Sequence, residues 1–246
     1  SDVHLTLDVQ LQHETELALE AVLQTTGARS AVAVVLDVST SEVLAAAVAP
    51  TFNANNAAEV AAQVRRNRVV SDMFEPASSF KPLVVASALE VGAIDPSERI
   101  FCENGSFAIG RNTIRDSHPH GELLPIEIIQ KSSNIGSAKI AKAIGRERLG
   151  RFLVDFGVGR RTGAPSPGET GGILHPASTW SEVGLATIGF GHGVAVTVLQ
   201  LAAAYRVIAS GGLYREPTWV RSIEYPDGYQ PTIGVQPKED IRVIRS

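Results

Sequence analysis

A single domain of mixed α and β class is predicted for this chain, on three observations. Two apolar runs, Ala31 to Val38 and Val43 to Ala49, flank the polar turn Ser39-Thr40-Ser41-Glu42 and read as a hairpin. Several other segments carry helix start and stop signals at helical lengths. The 246 residues are 44% hydrophobic and 20% charged, without internal repeats or a low-complexity linker, which is ordinary globular composition.

Along the chain, Asp8 can cap a helix from Val9 to Thr25, with Leu11, Ala18 and Val22 on one face and Gly27 at its end. After the hairpin, the polar, alanine-rich stretch Asn53 to Ala62 reads as a loop entering a short helix. A helix starts at Ser78-Ser79, both good N-caps. With Ser79 capping, Pro82 falls in the first turn, where its missing N–H has no partner to lose. It runs through Leu83 to Leu89 and stops near Gly92. Asn104-Gly105 and Gly110 mark turns in the mixed stretch to Glu122. Helical pattern returns over Pro125–Gln130, Ile135–Ile144 and Glu147–Phe156, and the Gly- and Pro-rich run from Gly157 to Pro176 is loop. Thr197 with Gln200 forms a capping box for an apolar helix to Ala209, closed by Gly211-Gly212. Tyr225-Pro226-Asp227-Gly228-Tyr229 reads as a turn between two short strands.

Charge and cysteine usage exclude several function classes. A net charge of −4 gives no electrostatic case for nucleic acid or an anionic membrane. Arg65, Arg66 and Arg68 around Asn67 read as a solvated face. The lone Cys102 rules out an intrachain disulfide and a multi-cysteine metal site, and reads as a small core residue. There is no run of eighteen apolar residues and no signal peptide. Ser1-Asp2-Val3-His4 does not look like a natural start, so an upstream anchor is expected to have been cut away. Asp116 near His118 and His120 raises a metal reading, but Pro119 and the lack of a third well-spaced ligand argue for none. No cofactor signature is present. Gly189-x-Gly191-x-Gly193 lacks the spacing of a dinucleotide fingerprint and reads as a close backbone approach in a loop, and no Gly-x-Ser-x-Gly elbow occurs.

The chemistry centres on Ser78 and Lys81. A serine hydroxyl is a weak nucleophile at neutral pH and needs a base beside it. Residues i and i+3 share a face at a helix start, so the Lys81 amine can reach the hydroxyl if desolvation or a nearby cation lowers its pKa. Chance supplies roughly 0.4 Ser-x-x-Lys pairs in a chain of this composition, so the bare pair is weak and by itself more often marks a helix cap followed by a solvated lysine. Ser132-x-Asn134 is the one Ser-x-Asn of the chain and lies between two helical segments. There a hydroxyl can relay a proton and an amide can bind a substrate amide, although Ser132 or Ser133 could also simply cap the next helix.

Longer matches surround both motifs. They comprise Leu5-Thr6-Leu7-Asp8, Val35-Leu36-Asp37, Asn67-Arg68-Val69-Val70-Ser71-Asp72 leading into Glu75-Pro76, and Ile114-Arg115-Asp116-Ser117-His118-Pro119-His120-Gly121. Then come Gln130-Lys131-Ser132-Ser133-Asn134, Trp180, Gly189-Phe190-Gly191-His192-Gly193 and Leu199-Gln200-Leu201-Ala202. In these the chain resembles the transpeptidase domain of class B penicillin-binding proteins, especially the septal cell-division type, over nearly its whole length and in family order. The resemblance implies the penicillin-recognising serine transpeptidase and β-lactamase-like fold, an antiparallel sheet flanked by helices plus an all-helical subdomain. It implies one transpeptidase domain over residues 1–246, truncated at both ends. The activity implied is D,D-transpeptidation, with Ser78 acylated by the D-Ala-D-Ala end of a peptidoglycan stem peptide or by a β-lactam. Lys81 would be its base, Ser132 would pass a proton to the leaving group, and Asn134 would hold the substrate carbonyl. Stem peptides, β-lactams and, through the full-length protein, divisome components are the partners implied; the location implied is periplasmic, anchored to the inner membrane by an upstream segment.

Three departures from the family pattern stand out. Ala77 replaces the usual glycine before the nucleophile, and Val198 a common proline. No lysine is followed by Thr-Gly or Ser-Gly, the family's third motif; Arg161-Thr162-Gly163 sits at the wrong place in the order. The sheet is therefore expected to be incomplete, the 31–49 hairpin to lack its sheet partners, and this chain alone to acylate poorly. Two rival readings remain: a serine β-lactamase, although the Glu-x-x-Leu-Asn pattern of the class A enzymes is absent, and a non-catalytic penicillin-binding or divisome-interaction module.

Overall fold

The computed structural model describes residues 1–225 and 239–245. In chain order the elements are β1 (Asp2–Leu5), α1 (Val9–Thr26), β2 (Ala31–Leu36), β3 (Val43–Ala49), α2 (Arg68–Ser71) and α3 (Lys81–Glu90). Next come β4 (Ile100–Phe101), β5 (Ser106–Ile109), β6 (Asn112–Arg115), β7 (Glu122–Leu123), α4 (Pro125–Gln130), α5 (Asn134–Ile144) and α6 (Arg146–Asp155). The chain continues with α7 (Glu182–Ile188), α8 (Val198–Ala209), β8 (Leu213–Tyr214), β9 (Val220–Glu224) and β10 (Ile241–Arg242). Helices and antiparallel ladders are mixed, as expected. The expected turn at Tyr225–Tyr229 lies outside the described residues apart from Tyr225 itself. The chain divides into two compact units, each assembled from three segments.

The first unit comprises Ser1–Met73, Arg160–Gly171 and Thr197–Ile241. The predicted hairpin is present, with β2 and β3 antiparallel from Ala31↔Ala49 to Leu36↔Val43. Its expected weakness is met by packing on both faces. Ala47 and Ala49 bury against Leu19 of α1, joined by Leu23, Ala31 and Ala33. A register shift between Val35 and Leu36 brings Val43 to the opposite face, with Val69 and Val70 of α2 and Leu199 of α8. A hairpin alone is marginal, but one covered by helices is not. The helix signals held here: the Asp8 side chain accepts from Leu11 N at 2.9 Å, and Gly27 ends α1 with φ +67°. The Thr197–Gln200 capping box opens α8. Arg161-Thr162-Gly163 is a structural loop: Thr162 is buried, with its N–H donating to Glu169 at 2.7 Å, and a side chain at Gly163 would collide with Glu216. Arg66 and Arg68 both pair with Asp72 at the surface.

The second unit comprises Phe74–Gly159, Gly172–Val196 and Arg242–Ser246. It is mainly helical, with two short ladders, β4–β7 and β5–β6. Helix α5 runs through its middle, packed on α3, α4, α6 and α7. Its core includes Phe80, Leu83, Ile128, Ile135, Ile140, Ile144, Leu149 and Leu153, all fully buried. Gly136 and Gly189 permit close packing, since a Cβ at either would strike Ile128 or the backbone at Ser137. Cys102 is buried, as predicted. One helix start differs from expectation. A 3₁₀ turn, Ala77–Phe80, precedes α3, and neither Ser78 nor Ser79 caps the helix. The Ser79 hydroxyl instead donates back to the Pro76 carbonyl at 2.5 Å. That short local bond competes with capping, and the 3₁₀ turn itself occupies the N–H groups that a cap would have served.

Candidate active site

All four residues singled out by the sequence converge within the second unit. The 3₁₀ turn and the first turn of α3 put Ser78 and Lys81 on one face, with Lys81 Nζ 3.1 Å from Ser78 Oγ. The turn between α4 and α5 supplies the rest. Lys81 Nζ lies 2.6 Å from the Ser132 carbonyl, 2.9 Å from Ser132 Oγ and 2.9 Å from Asn134 Oδ1. Ser132 Oγ is 2.8 Å from Ser78 Oγ, which closes a triangle of two hydroxyls and one amine.

Burial separates the members of this triangle. Ser78 and Ser132 are exposed, whereas Lys81 is 1% exposed. Burial disfavours the ammonium, and the Lys81 pKa falls from 10.5 to about 8, the charge of Asp116 acting in the opposite direction. The partners suit a neutral amine. The Ser132 carbonyl and Asn134 Oδ1 can only accept, so they take the two N–H bonds of an –NH₂ group and leave its lone pair to the hydroxyls. A buried base next to an exposed hydroxyl is what nucleophilic activation requires.

The turn at Ser132 is unusual backbone. Ser132 has φ +56°, a left-handed conformation uncommon outside glycine, and it aims both its carbonyl and its hydroxyl at the amine. Ser133, not Ser132, caps α5, its Oγ accepting from Gly136 N at 2.9 Å. Of the two serines the sequence offered as caps, Ser133 takes that place, and the Ser132 hydroxyl faces Lys81 and Ser78.

Asp116 was singled out by the sequence only as a weak metal candidate. Its carboxylate faces this turn instead, accepting from Ser133 Oγ at 2.6 Å, Asn134 N at 2.6 Å and Ile135 N at 3.0 Å. Among the described residues no three His, Cys, Asp or Glu side chains gather as a metal site would.

On the other side of Ser78 lies the glycine-rich loop 189–193. Ala77 N donates to the Gly191 carbonyl at 3.1 Å, and any side chain at Gly191, where φ is +80°, would strike the Ala77 backbone. This is the close approach the glycine spacing predicted. Glu75 spans the same gap, accepting from Gly193 N at 2.8 Å and meeting His192 Nδ1 at 2.9 Å. Those bonds to the Glu75 carboxylate lower its pKa. The Glu75–His192 pair was not anticipated; the acid three residues before Ser78 and the His between two glycines were its only traces. Also in this unit, a hollow of about 380 Å³ is lined by Arg151, Val154, Leu174, His175 and Trp180, among others; it shares no lining residue with the site.

The chain is similar to known proteins over most of its length. The sequence profile described as "Penicillin binding protein transpeptidase domain" matches residues 31–244. The chain is 35% identical to a probable peptidoglycan D,D-transpeptidase PenA of Neisseria meningitidis, over 92% of this chain and 39% of that protein. It is also 35% identical to the peptidoglycan D,D-transpeptidase FtsI of Escherichia coli K12, over 98% of this chain and 40% of that protein. It therefore spans about two fifths of the length of these curated relatives. Among solved structures, penicillin-binding protein 3 of Mycobacterium tuberculosis complexed with aztreonam superposes with a TM-score of 0.89 at 32% identity, covering 99% of this chain and 54% of that one. The apo transpeptidase domain of penicillin-binding protein 3 from Burkholderia pseudomallei gives 0.84 at 32%, covering 98% and 65%.

Proposed function

Because this chain belongs to the penicillin-binding protein transpeptidase family, we propose that it carries the acyl-transfer site of a peptidoglycan D,D-transpeptidase, with Ser78 as nucleophile. The observation that carries this reading is the buried Lys81 amine within 3.1 Å of the exposed Ser78 hydroxyl and 2.9 Å of the Ser132 hydroxyl. Neutral Lys81 takes the Ser78 proton as Oγ attacks the penultimate D-Ala carbonyl of a stem peptide. Ser132 Oγ, hydrogen-bonded to both, carries a proton to the departing D-Ala nitrogen as the C–N bond breaks. Asn134 offers its amide to the substrate's peptide carbonyl, and the Ser78 N–H is one donor to the oxyanion. An amine from a second stem peptide then attacks the Ser78 ester, forms the cross-link and frees the serine. A β-lactam enters the same first step, but its leaving nitrogen stays tethered to the acyl group, so the adduct persists.

Similarity to FtsI supports the cell-division type, and with it a septal site of action, divisome partners and a periplasmic location; no helix among the described residues is long and apolar enough to cross a membrane. The test is intact-mass detection of a penicilloyl adduct, mapped by peptide analysis. An adduct on Ser78 that is absent from Ser78→Ala supports the assignment, and an adduct elsewhere ends it. Fast hydrolysis of the adduct would favour a β-lactamase instead.

One sequence feature favours a second reading. No Lys-Thr-Gly or Lys-Ser-Gly occurs in the chain, and losing the oxyanion donor such a strand supplies costs about 3 kcal/mol of transition-state stabilisation. Slow adduct formation is therefore expected from residues 1–246 by themselves, and binding of penicillin or of divisome components without turnover is the second reading. Rapid stoichiometric labelling by a fluorescent penicillin would overturn that expectation.

A further inference from the structure

We propose that Asp116 is a positioning residue that holds the Ser132–Asn134 turn in register with the Lys81 amine. The catalytic consequence rests on the acyl-transfer reading; the structural and electrostatic roles do not.

The geometry divides the work between the two carboxylate oxygens. Oδ1 accepts from Asn134 N and Ile135 N, the first two N–H groups of α5, which have no partner inside the helix. Oδ2 accepts from the Ser133 hydroxyl, whose oxygen in turn accepts from Gly136 N. Asp116 and Ser133 together therefore satisfy the first three N–H groups of α5, and a negative charge is favoured at that end of a helix. The neighbouring residue fixes the Asn134 side chain. Its Nδ2 donates to the Arg115 carbonyl at 3.0 Å, which leaves Oδ1 facing Lys81. Segment 115–116 is itself anchored, Asp116 N donating to the Gly105 carbonyl at 3.2 Å. Ser132 thus keeps its left-handed φ of +56° at the mouth of a turn pinned from the Asp116 side.

The charge has a separate effect. Burial drives the Lys81 pKa down, and Asp116 pulls it up. The other ionisable groups around this carboxylate are the buried Cys102 thiol, whose pKa burial raises, and Lys139, which is paired with Glu103 at 2.6 Å. Neither replaces the Asp116 charge at Lys81, because burial keeps the Cys102 thiol neutral and Lys139 carries the opposite charge.

Asp116→Asn removes the charge and keeps one acceptor oxygen for Asn134 N and Ile135 N, while its NH₂ group can donate to Ser133 Oγ where Oδ2 accepted from it. The first readout is the titration of the Lys81 side chain by carbon-13 NMR, assigned with Lys81→Arg among the chain's five lysines. The midpoint should fall by roughly half a pH unit in Asp116→Asn, and the pH profile of penicilloyl adduct formation should move to lower pH by the same amount. Asp116→Ala, which also frees the turn, should slow adduct formation about 100-fold at saturating penicillin with the half-saturating concentration little changed. Backbone amide signals of Ser132–Asn134 that stay unmoved in Asp116→Ala, or adduct formation by it as fast as by the unsubstituted chain, overturn the proposal. If no form of the chain takes up penicillin, the acyl-transfer reading falls, yet those amide signals still decide the role of Asp116.

Discussion

Ser78 sits between two loops that are held by opposite means. On one side the Ser132–Asn134 turn is fixed by a carboxylate, a helix terminus and a buried amine, four of whose neighbours lie within 3.1 Å. On the other, loop 189–193 is fixed by backbone contact at Gly191 and by the Glu75–His192 pair, whose side chains are about half exposed. The first arrangement changes the chemistry of a group, because it removes an amine from water. The second changes only where the serine stands, since an exposed pair is screened and contributes little energy. Substitutions on the two sides should therefore fail differently: in rate and pH profile on one, in geometry on the other.

The largest effect is expected at Lys81. Lys81→Met removes the base and should reduce adduct formation by at least about 1,000-fold. It should leave the melting temperature unchanged or raise it, because a buried lysine burdens the fold. The sign follows from the shift: the folded pKa of about 8 lies below the unfolded 10.5, so stability rises with pH between those values and the penalty is complete below 8. Adduct formation by the unsubstituted chain should rise with pH through about 8 and then level off, with roughly a tenth of the amine neutral at pH 7. A profile that is flat from pH 6 to pH 9 would remove Lys81 as the base.

Gly191→Ala should break the other side nearly as severely. The added Cβ would overlap the Ala77 backbone and would sit at φ +80°, so the segment bearing Ser78 must move. A displacement on the order of 1 Å costs about 100-fold in rate. Here the pH midpoint should stay where it was, because the Lys81 environment is untouched. A shifted midpoint would show that the two loops are not independent.

How much of this could be read from the sequence depends on how local the determinant is. The Ser78–Lys81 pair, the Asp8 and Thr197 caps and the glycine stops are contacts within a helical turn or so, and the structure has them where the spacing put them. The Ser79 cap failed because two local options, a cap and a bond back to Pro76, compete for the same hydroxyl, and the second is the one formed. Asp116 and Glu75 were visible as residues but not as roles. Their partners are 17 to 19 and 117 to 118 positions away, and no periodicity reports a contact at such separations. The boundaries of the two compact units were likewise not legible, although the resemblance implied a helical subdomain, because each unit is built from three separated segments and no linker composition marks the crossings.

Smaller effects should come from the Glu75 clamp. Glu75→Ala removes both the Gly193 N–H acceptor and the His192 partner, and about a 10-fold slowing is expected, again with an unmoved pH midpoint. His192→Ala removes only the exposed pair and should change the rate by less than about threefold. The Glu75 pKa is lowered, so the clamp is present at neutral pH and is lost only as pH falls below the ordinary 4.5 through the lowered folded value. Equal effects of the two substitutions would mean that the side-chain contact to His192, not the backbone bond, holds the loop.

Ala77→Gly should have the smallest effect, and it is the finest probe of the comparison. Ala77 has φ +48°, where glycine is at ease and alanine is strained by about 1 kcal/mol. Glycine would relieve that strain but also enlarge the unfolded ensemble by about the same free energy, so the melting temperature should move by no more than a degree or two. The rate offers the sharper reading. If the bond from Ala77 N to the Gly191 carbonyl and the Glu75 clamp already fix the segment, glycine there changes adduct formation by less than about twofold. A larger loss would mean that the alanine methyl itself stiffens the approach to Ser78. Combining Ala77→Gly with His192→Ala then decides the matter: additive losses mark two independent restraints, and a loss well beyond additive marks one shared restraint that either residue can maintain.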